Sequence, residues 1–205
     1  VHFDTEAVRE PFSWVRGSNR FLPGDIAVQW CLPVADEFHS RNLALGRRYR
    51  YVVLESALRP ALESGLAGWT ARPLDGEAMG LAAARLLGEH DFTSFRAAEC
   101  QAASPVKTLR SIAMSRHGAY WRFEFDANAF LHHMVRNIVG LLLTIGRGEA
   151  APERAREQLE SRLRSTGEAT AAACGLYLWQ VDYPGAFGLP AASVMIGAPI
   201  RTAGN

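Results

Sequence analysis

The stretch "NAFLHHMVRNIVG", Asn128 to Gly140, brings His132, His133, Arg136 and Asn137 together within two turns' worth of chain. Three chemistries are open to such a group. Imidazoles can ligate a transition metal. A guanidinium on a rigid element can grip a carboxylate or another anion through two donors. Polar side chains beside a core can also be satisfied by their neighbours and do no chemistry at all. The apolar spacing of Leu131, Met134, Val135, Ile138, Leu142 and Ile145 predicts a helix through the whole stretch, capped by Asn128. On that helix His132 and Arg136 lie four apart, and His133 and Arg136 three apart, on a side turned partly from the apolar face. Adjacent helical histidines point about 100° apart. No second histidine follows at the i, i+4 spacing that zinc-binding helices use. The expectation is no metal, with polar support and anion binding left open.

The elements around this helix follow from hydrophobic period. In "YWRFEFD", Trp121, Phe123 and Phe125 alternate with Arg122, Glu124 and Asp126, the pattern of a strand buried on one face. With "SRHGAYW" before it, a hairpin is predicted from strands near Thr108–Ser115 and Tyr120–Asp126. Further strands are expected near Ile26–Val34, Arg48–Glu55 and Leu176–Tyr183. "DGEAMGLAAARLLGEH" predicts a helix with Met79, Ala82, Ala83, Leu86 and Leu87 inward, Asp75 as cap and Gly88 as stop. Other helices are expected from Pro152 and, more weakly, around Phe12–Asn19. The mixture predicts an α+β fold with a mainly antiparallel sheet flanked by helices.

Composition narrows the partners. The 205 residues are 48% hydrophobic and 21% charged, with a net charge of +1 and a pI near 8.0. A domain that binds nucleic acid by bulk charge usually has a pI above about 9, so any RNA must meet a local patch. No apolar run reaches the roughly 18 residues of a membrane span. Cys31, Cys100 and Cys174 form neither a disulfide framework nor a zinc knuckle, which favours a reduced, cytoplasmic compartment.

"HDFTSFRAAECQ" followed by "NAFLHHMVRNIVG" closely resembles the tRNA pseudouridine synthase A family, as do "NRFLPGDIAV", "DEFHSRNLALGRRYRYVV" and "CGLYLWQVDYP". The resemblance runs in order from the start to about Asp182 and implies the pseudouridine synthase fold. It implies isomerisation of uridine in the tRNA anticodon stem-loop, around positions 38 to 40, with no cofactor, usually by a homodimer. The family's nucleophilic Asp lies in G-R-T-D-A-G-V-H, and these 205 residues contain no such motif. The chain, which starts without Met, therefore reads as N-terminally truncated: residues 1–43 a remnant of the N-terminal half, 44–188 the C-terminal catalytic and RNA-binding half, 189–205 a loose tail.

Carried onto this sequence, the resemblance makes Tyr49 the active-site tyrosine, stacking on the flipped base. Arg136 becomes the partner of the catalytic carboxylate, and Leu176 a wall of the uracil pocket. "FHSRN" (Phe38, His39, Ser40, Arg41 and Asn42) matches a tRNA-contacting stretch, and Cys100 and Gln101 a loop that reaches RNA. Lys107, Arg110 and Arg116 could extend that patch, though scattered surface charge is the default reading. Without its carboxylate, Arg136 is expected to lack a partner here, and the chain alone to be inactive. Two rivals remain: a non-catalytic module that binds RNA or dimerises, and a metal-dependent hydrolase using His132, His133 and His117.

Overall fold

Alternation in the hairpin is realised as expected, and it sets the plan of the molecule. The computed structural model describes residues 1–164 and 167–190. The tail assigned to 189–205 therefore falls almost wholly outside the described residues. Two units divide the chain, Leu45–Asp182 and a second made of Val1–Ala44 with the described residues from Tyr183 on.

In the larger unit, β1 (Gly46–Glu55), β2 (Gly68–Thr70), β3 (Gly88–Asp91), β4 (Val106–His117), β5 (Tyr120–Ala127) and β6 (Leu176–Asp182) make one six-stranded sheet. β4 and β5 are the hairpin, and β3 extends it at one side. β1 lies antiparallel to β5, with Tyr49 opposite Phe125 and Tyr51 opposite Phe123. Along its other edge β1 carries antiparallel β6 beside Gly46–Tyr51, then parallel β2 beside Val53–Glu55. The sheet is thus mixed but mainly antiparallel.

Helices α2 (Gly76–Ala84), α3 (Met134–Gly146) and α4 (Arg154–Ser161) supply the rest of the core. Tyr51, Val53, Trp121, Phe123 and Phe125 meet Met79, Ala82, Met134, Ile138 and Leu142 there. The opposite sheet face carries Arg48, Arg50, Arg122, Glu124 and Asp126, with Arg50 paired to Glu124 and Arg48 to Asp126. Magnitudes decide the register. Slipping β5 by one residue would expose Trp121, Phe123 and Phe125, each worth about 1.5–3 kcal/mol when buried. Exposed ion pairs return only about 0–1 kcal/mol each.

Three local expectations are corrected. Ile26–Val34 is not a strand: no strand pairs with it among the described residues, and Ile26, Leu32 and Val34 stay exposed. The Asn19 side-chain amide grips it, giving and taking hydrogen bonds with Val28, and the Ile26 amide donates to the Pro23 carbonyl. α2 is capped by Asp75 as read, but ends at Ala84, so Leu87 is exposed and Gly88 opens β3. α3 begins at Met134, and Asn128 instead accepts from the Thr108 and Ala129 amides at the end of the hairpin. α1 (Pro11–Phe21), in the smaller unit, matches the weak helix expected near Phe12–Asn19. Among the described residues no helix is long and apolar enough to cross a membrane.

Gly140, midway along α3, makes the closest approach in the core. A Cβ there would stand 2.0 Å from the Ala169 carbonyl oxygen. Gly140→Ala is expected to destabilise the protein by about 1–3 kcal/mol. Gly17→Ala, in open space on α1, should be neutral or stabilising by up to about 1 kcal/mol. Urea melts of both variants check the contrast.

Candidate active site

Arg136 sits in the first turn of α3, where the segment before β6 crosses the helix. Its Nε donates to the Ala171 carbonyl at 2.7 Å, and its own carbonyl accepts from the Ala171 amide at 3.1 Å. Next to it, Tyr51 of β1 donates its hydroxyl to the Ala172 carbonyl at 2.8 Å. Asn137, buried, donates to the Phe95 carbonyl at 2.7 Å and accepts from the Thr170 hydroxyl at 2.7 Å. Gly175, at φ +92°, lets the same segment turn into β6 against the Val52 carbonyl. Residues 169–175 are thus fastened at Thr170, Ala171 and Ala172, and the fastening fixes the root of the guanidinium. Arg136 is not without a partner in this chain, contrary to expectation. Among the described residues, however, its terminal amino groups take no hydrogen bond and no ion pair.

Tyr49 is half-buried on the core side of β1, edge-on to Phe130 with ring centroids 5.1 Å apart. Burial raises its phenol pKa, against the pull of the Arg47 charge. Leu176, also half-buried, stands opposite Tyr51 at the start of β6 and packs on the core. Tyr49, Leu176 and the Tyr51–Arg136 pair therefore belong to the helix-covered side of the sheet. Arg50 is on the other side, its guanidinium 3.2 Å over the Trp179 ring. Tyr49 and Tyr51 thus share one face of β1, and Arg48 and Arg50 the other.

His132 and His133 are not on the helix. They lie in the turn before it, and His133 has a left-handed backbone at φ 63°. Burial, then the Arg136 charge, lowers the His133 pKa. His117 stands at the opposite end of the β4–β5 hairpin from the turn holding these histidines, so the three-histidine hydrolase is excluded on geometry.

The expected RNA-contacting residues divide. In the smaller unit Phe38 packs against Tyr183 and Phe187. His39 Nδ1 accepts from the Arg41 and Asn42 amides, and Ser40 bonds His2. Arg41 and Asn42 are exposed. In the larger unit Cys100 is half-buried and Gln101 exposed. Burial raises the Cys100 thiol, but amide donors from Ala102 and His132, with the Arg96 and Lys107 charges, bring it below its ordinary value. Arg110 and Arg116 are not open basic patch: they pair with Asp126 and Glu55. A concavity of about 630 Å³ between α4 and the α2–β3 region holds none of the candidate residues. Its arginines are answered by Glu153, Glu160 and Asp91.

Comparison with known proteins bears on this arrangement. Residues 82–184 match the family described as tRNA pseudouridine synthase. A tRNA pseudouridine synthase A of Methylibium petroleiphilum is 60% identical over 190 residues, 93% of this chain and 73% of that protein. One from Variovorax paradoxus is 56% identical over 205 residues, 97% of this chain and 76% of that protein.

The chain belongs to the tRNA pseudouridine synthase A family.

A third relative, from Polaromonas naphthalenivorans, is 58% identical over 93% of this chain. The mixed, mainly antiparallel sheet with its helices is consistent with the pseudouridine synthase fold. What sequence reasoning missed are the groups that hold the segment before β6: Tyr51, Thr170 and Gly140. No local pattern marks Thr170.

Arg136→Met is expected to cost about 1–2 kcal/mol through the lost bond to Ala171. Tyr51→Phe should cost about 0.5–1.5 kcal/mol through the lost bond to the Ala172 carbonyl. Chemical denaturation measures both. The Tyr51 pKa is raised, chiefly by burial. Its stabilising contribution is therefore intact below the ordinary tyrosine pKa of about 10 and falls as pH rises beyond it. Melts above that pH should show a shallower alkaline loss in Tyr51→Phe than in the wild type.

Proposed function

We propose that this chain forms the part of a tRNA pseudouridine synthase that presents Tyr49, Arg136 and Leu176 to a uridine of the anticodon stem-loop. The nucleophilic carboxylate would come from a G-R-T-D-A-G-V-H segment, which these 205 residues do not contain. On this reading residues 1–43 belong to the family's N-terminal half and 44–188 to its catalytic C-terminal half. The observation that carries the proposal is Arg136, whose root is fixed by the Ala171 carbonyl while its terminal donors lack a partner among the described residues. A guanidinium so held can take a carboxylate through two parallel hydrogen bonds and keep it ionised.

The chemistry needs little else. The bond between C1′ and N1 breaks, a bond between C1′ and C5 forms, and the C5 proton is lost while N1 gains one. No electron, metal or organic cofactor enters the balance. The target base must leave its stack, at a few kcal/mol. Tyr49 then stacks on it and is placed to move the C5 proton, while Leu176 and Phe130 offer apolar walls that keep water from the intermediate. Arg41 contacts phosphate, which fixes position without reading sequence. The complete enzyme works as a cytoplasmic homodimer, whereas these residues alone bind tRNA weakly and do not isomerise it.

The test uses a protein that carries the G-R-T-D-A-G-V-H segment ahead of this chain. It should form pseudouridine in tRNA in the presence of a chelator. Tyr49→Ala should lower turnover by about 10²-fold or more, and Arg50→Ala, on the far sheet face, by much less. Loss of activity to the chelator with recovery on zinc, or equal effects of the two substitutions, would contradict the reading.

The present chain should bind an anticodon stem-loop and an unrelated structured RNA alike, with a shallow salt dependence. Arg41→Ala should weaken both equally. Filter binding at two salt concentrations checks this, and tight, salt-insensitive binding specific to the stem-loop would oppose it.

A further inference from the structure

The helical geometry that argued against a metal does not exist at His132 and His133. The left-handed backbone of His133 turns the two rings to one side, centroids 4.1 Å apart and tilted by 36°. Glu99 reaches them from the loop between the short 3-10 turn Thr93–Phe95 and β4. Its Oε1 stands 3.4 Å from His132 Nδ1. One ligand atom from each of Glu99, His132 and His133 lies within 4.8 Å of the other two.

Zinc bonds to imidazole nitrogen and carboxylate oxygen run about 2.0–2.1 Å, which places tetrahedral ligand atoms about 3.3–3.4 Å apart. The Glu99–His132 pair already has that separation. The remaining edges need close by at most 4.8 − 3.4 = 1.4 Å. The Glu99 and His132 side chains are more than half exposed and free to rotate that far.

We propose that Glu99, His132 and His133 form a binding site for a zinc-class divalent cation, completed by water, which fastens the 97–103 loop to the start of α3. Two imidazoles and one carboxylate suit zinc, cobalt or nickel and not magnesium or calcium. Nearby charge sharpens that choice. Arg136 and Arg164 both act on this cluster and oppose a second cation, so attraction by charge alone is too weak to hold a hard ion. Binding depends on coordination by the histidines and is weaker than in a four-ligand structural site. The Ala97 amide already donates to the His132 carbonyl, so loop and turn are in register before the ion arrives. The isomerase chemistry needs no metal, so the ion's role here is to hold the loop.

Calorimetric titration of zinc chloride into the full chain, in a buffer that does not chelate, tests the site. One saturable site per chain is expected, with zinc raising the Tm. His132→Ala and Glu99→Gln should each weaken binding at least about tenfold and remove the Tm shift. His133→Asn, which tolerates the left-handed backbone, should do the same without unfolding the turn. His117→Ala should leave binding unchanged, and excess magnesium should not compete. No saturable binding, binding unchanged in Glu99→Gln and His132→Ala, or equal competition by magnesium would overturn the proposal. These outcomes are independent of pseudouridine formation, which is read in chelator.

Discussion

A polypeptide segment laid across a helix must settle its carbonyls on fixed donors if it is to hold one path, and the rest of this site depends on how that is done. Residues 169–172 cross α3 at Gly140, where only the absence of a side chain permits the approach. Two successive carbonyls, Ala171 and Ala172, are taken up by Arg136 and Tyr51. Each such bond contributes about 0.5–1.5 kcal/mol net, and the segment cannot shift without losing both together. The same contacts that relieve the backbone hold a guanidinium root on α3 and lead directly into β6, which carries Leu176.

The sheet separates two uses of charge. On the helix-covered side an arginine is held by backbone, with its terminal donors unengaged among the described residues. On the other side Arg48, Arg50 and Arg110 are matched with Glu124, Asp126 and Asp182 across neighbouring strands, and Arg122 with Glu124 along β5. Trp179 covers Arg50 there. Those pairs neutralise one another and leave little net field, in keeping with a chain of net charge +1. The 630 Å³ concavity has the same character, with paired charges and none of the candidate side chains. A fixed cation with open donors is the better guide here.

Much of this was legible in sequence because burial alternates with unambiguous periods. Trp121, Phe123 and Phe125 declared the hairpin, and the strand expected near Arg48–Glu55 formed as β1. The start of α3 was not legible: Leu131 fits the helical period of Met134, Val135 and Ile138, yet it belongs to a turn. Nothing in the residue types of "LHHM" signals the left-handed His133, and that one dihedral decides where two imidazoles point. Ile26–Val34 misled for the opposite reason. Its residues suit a strand, but a strand requires a neighbour, and pairing is not a local property. The partners of Arg136 were hidden because backbone carbonyls carry no residue identity. No pattern could announce that Ala171 accepts from a side chain 35 positions earlier.

The central claim is that the segment before β6 and the first turn of α3 are locked together around Arg136. Hydrogen exchange at the Ala171 amide, which donates to the Arg136 carbonyl, reads that lock most directly. The account predicts an amide protected to nearly the level of the β1–β5 ladder, with protection falling markedly in Arg136→Met and in Tyr51→Phe. Exchange of Ala171 at the rate of an open loop in the wild-type protein would contradict it.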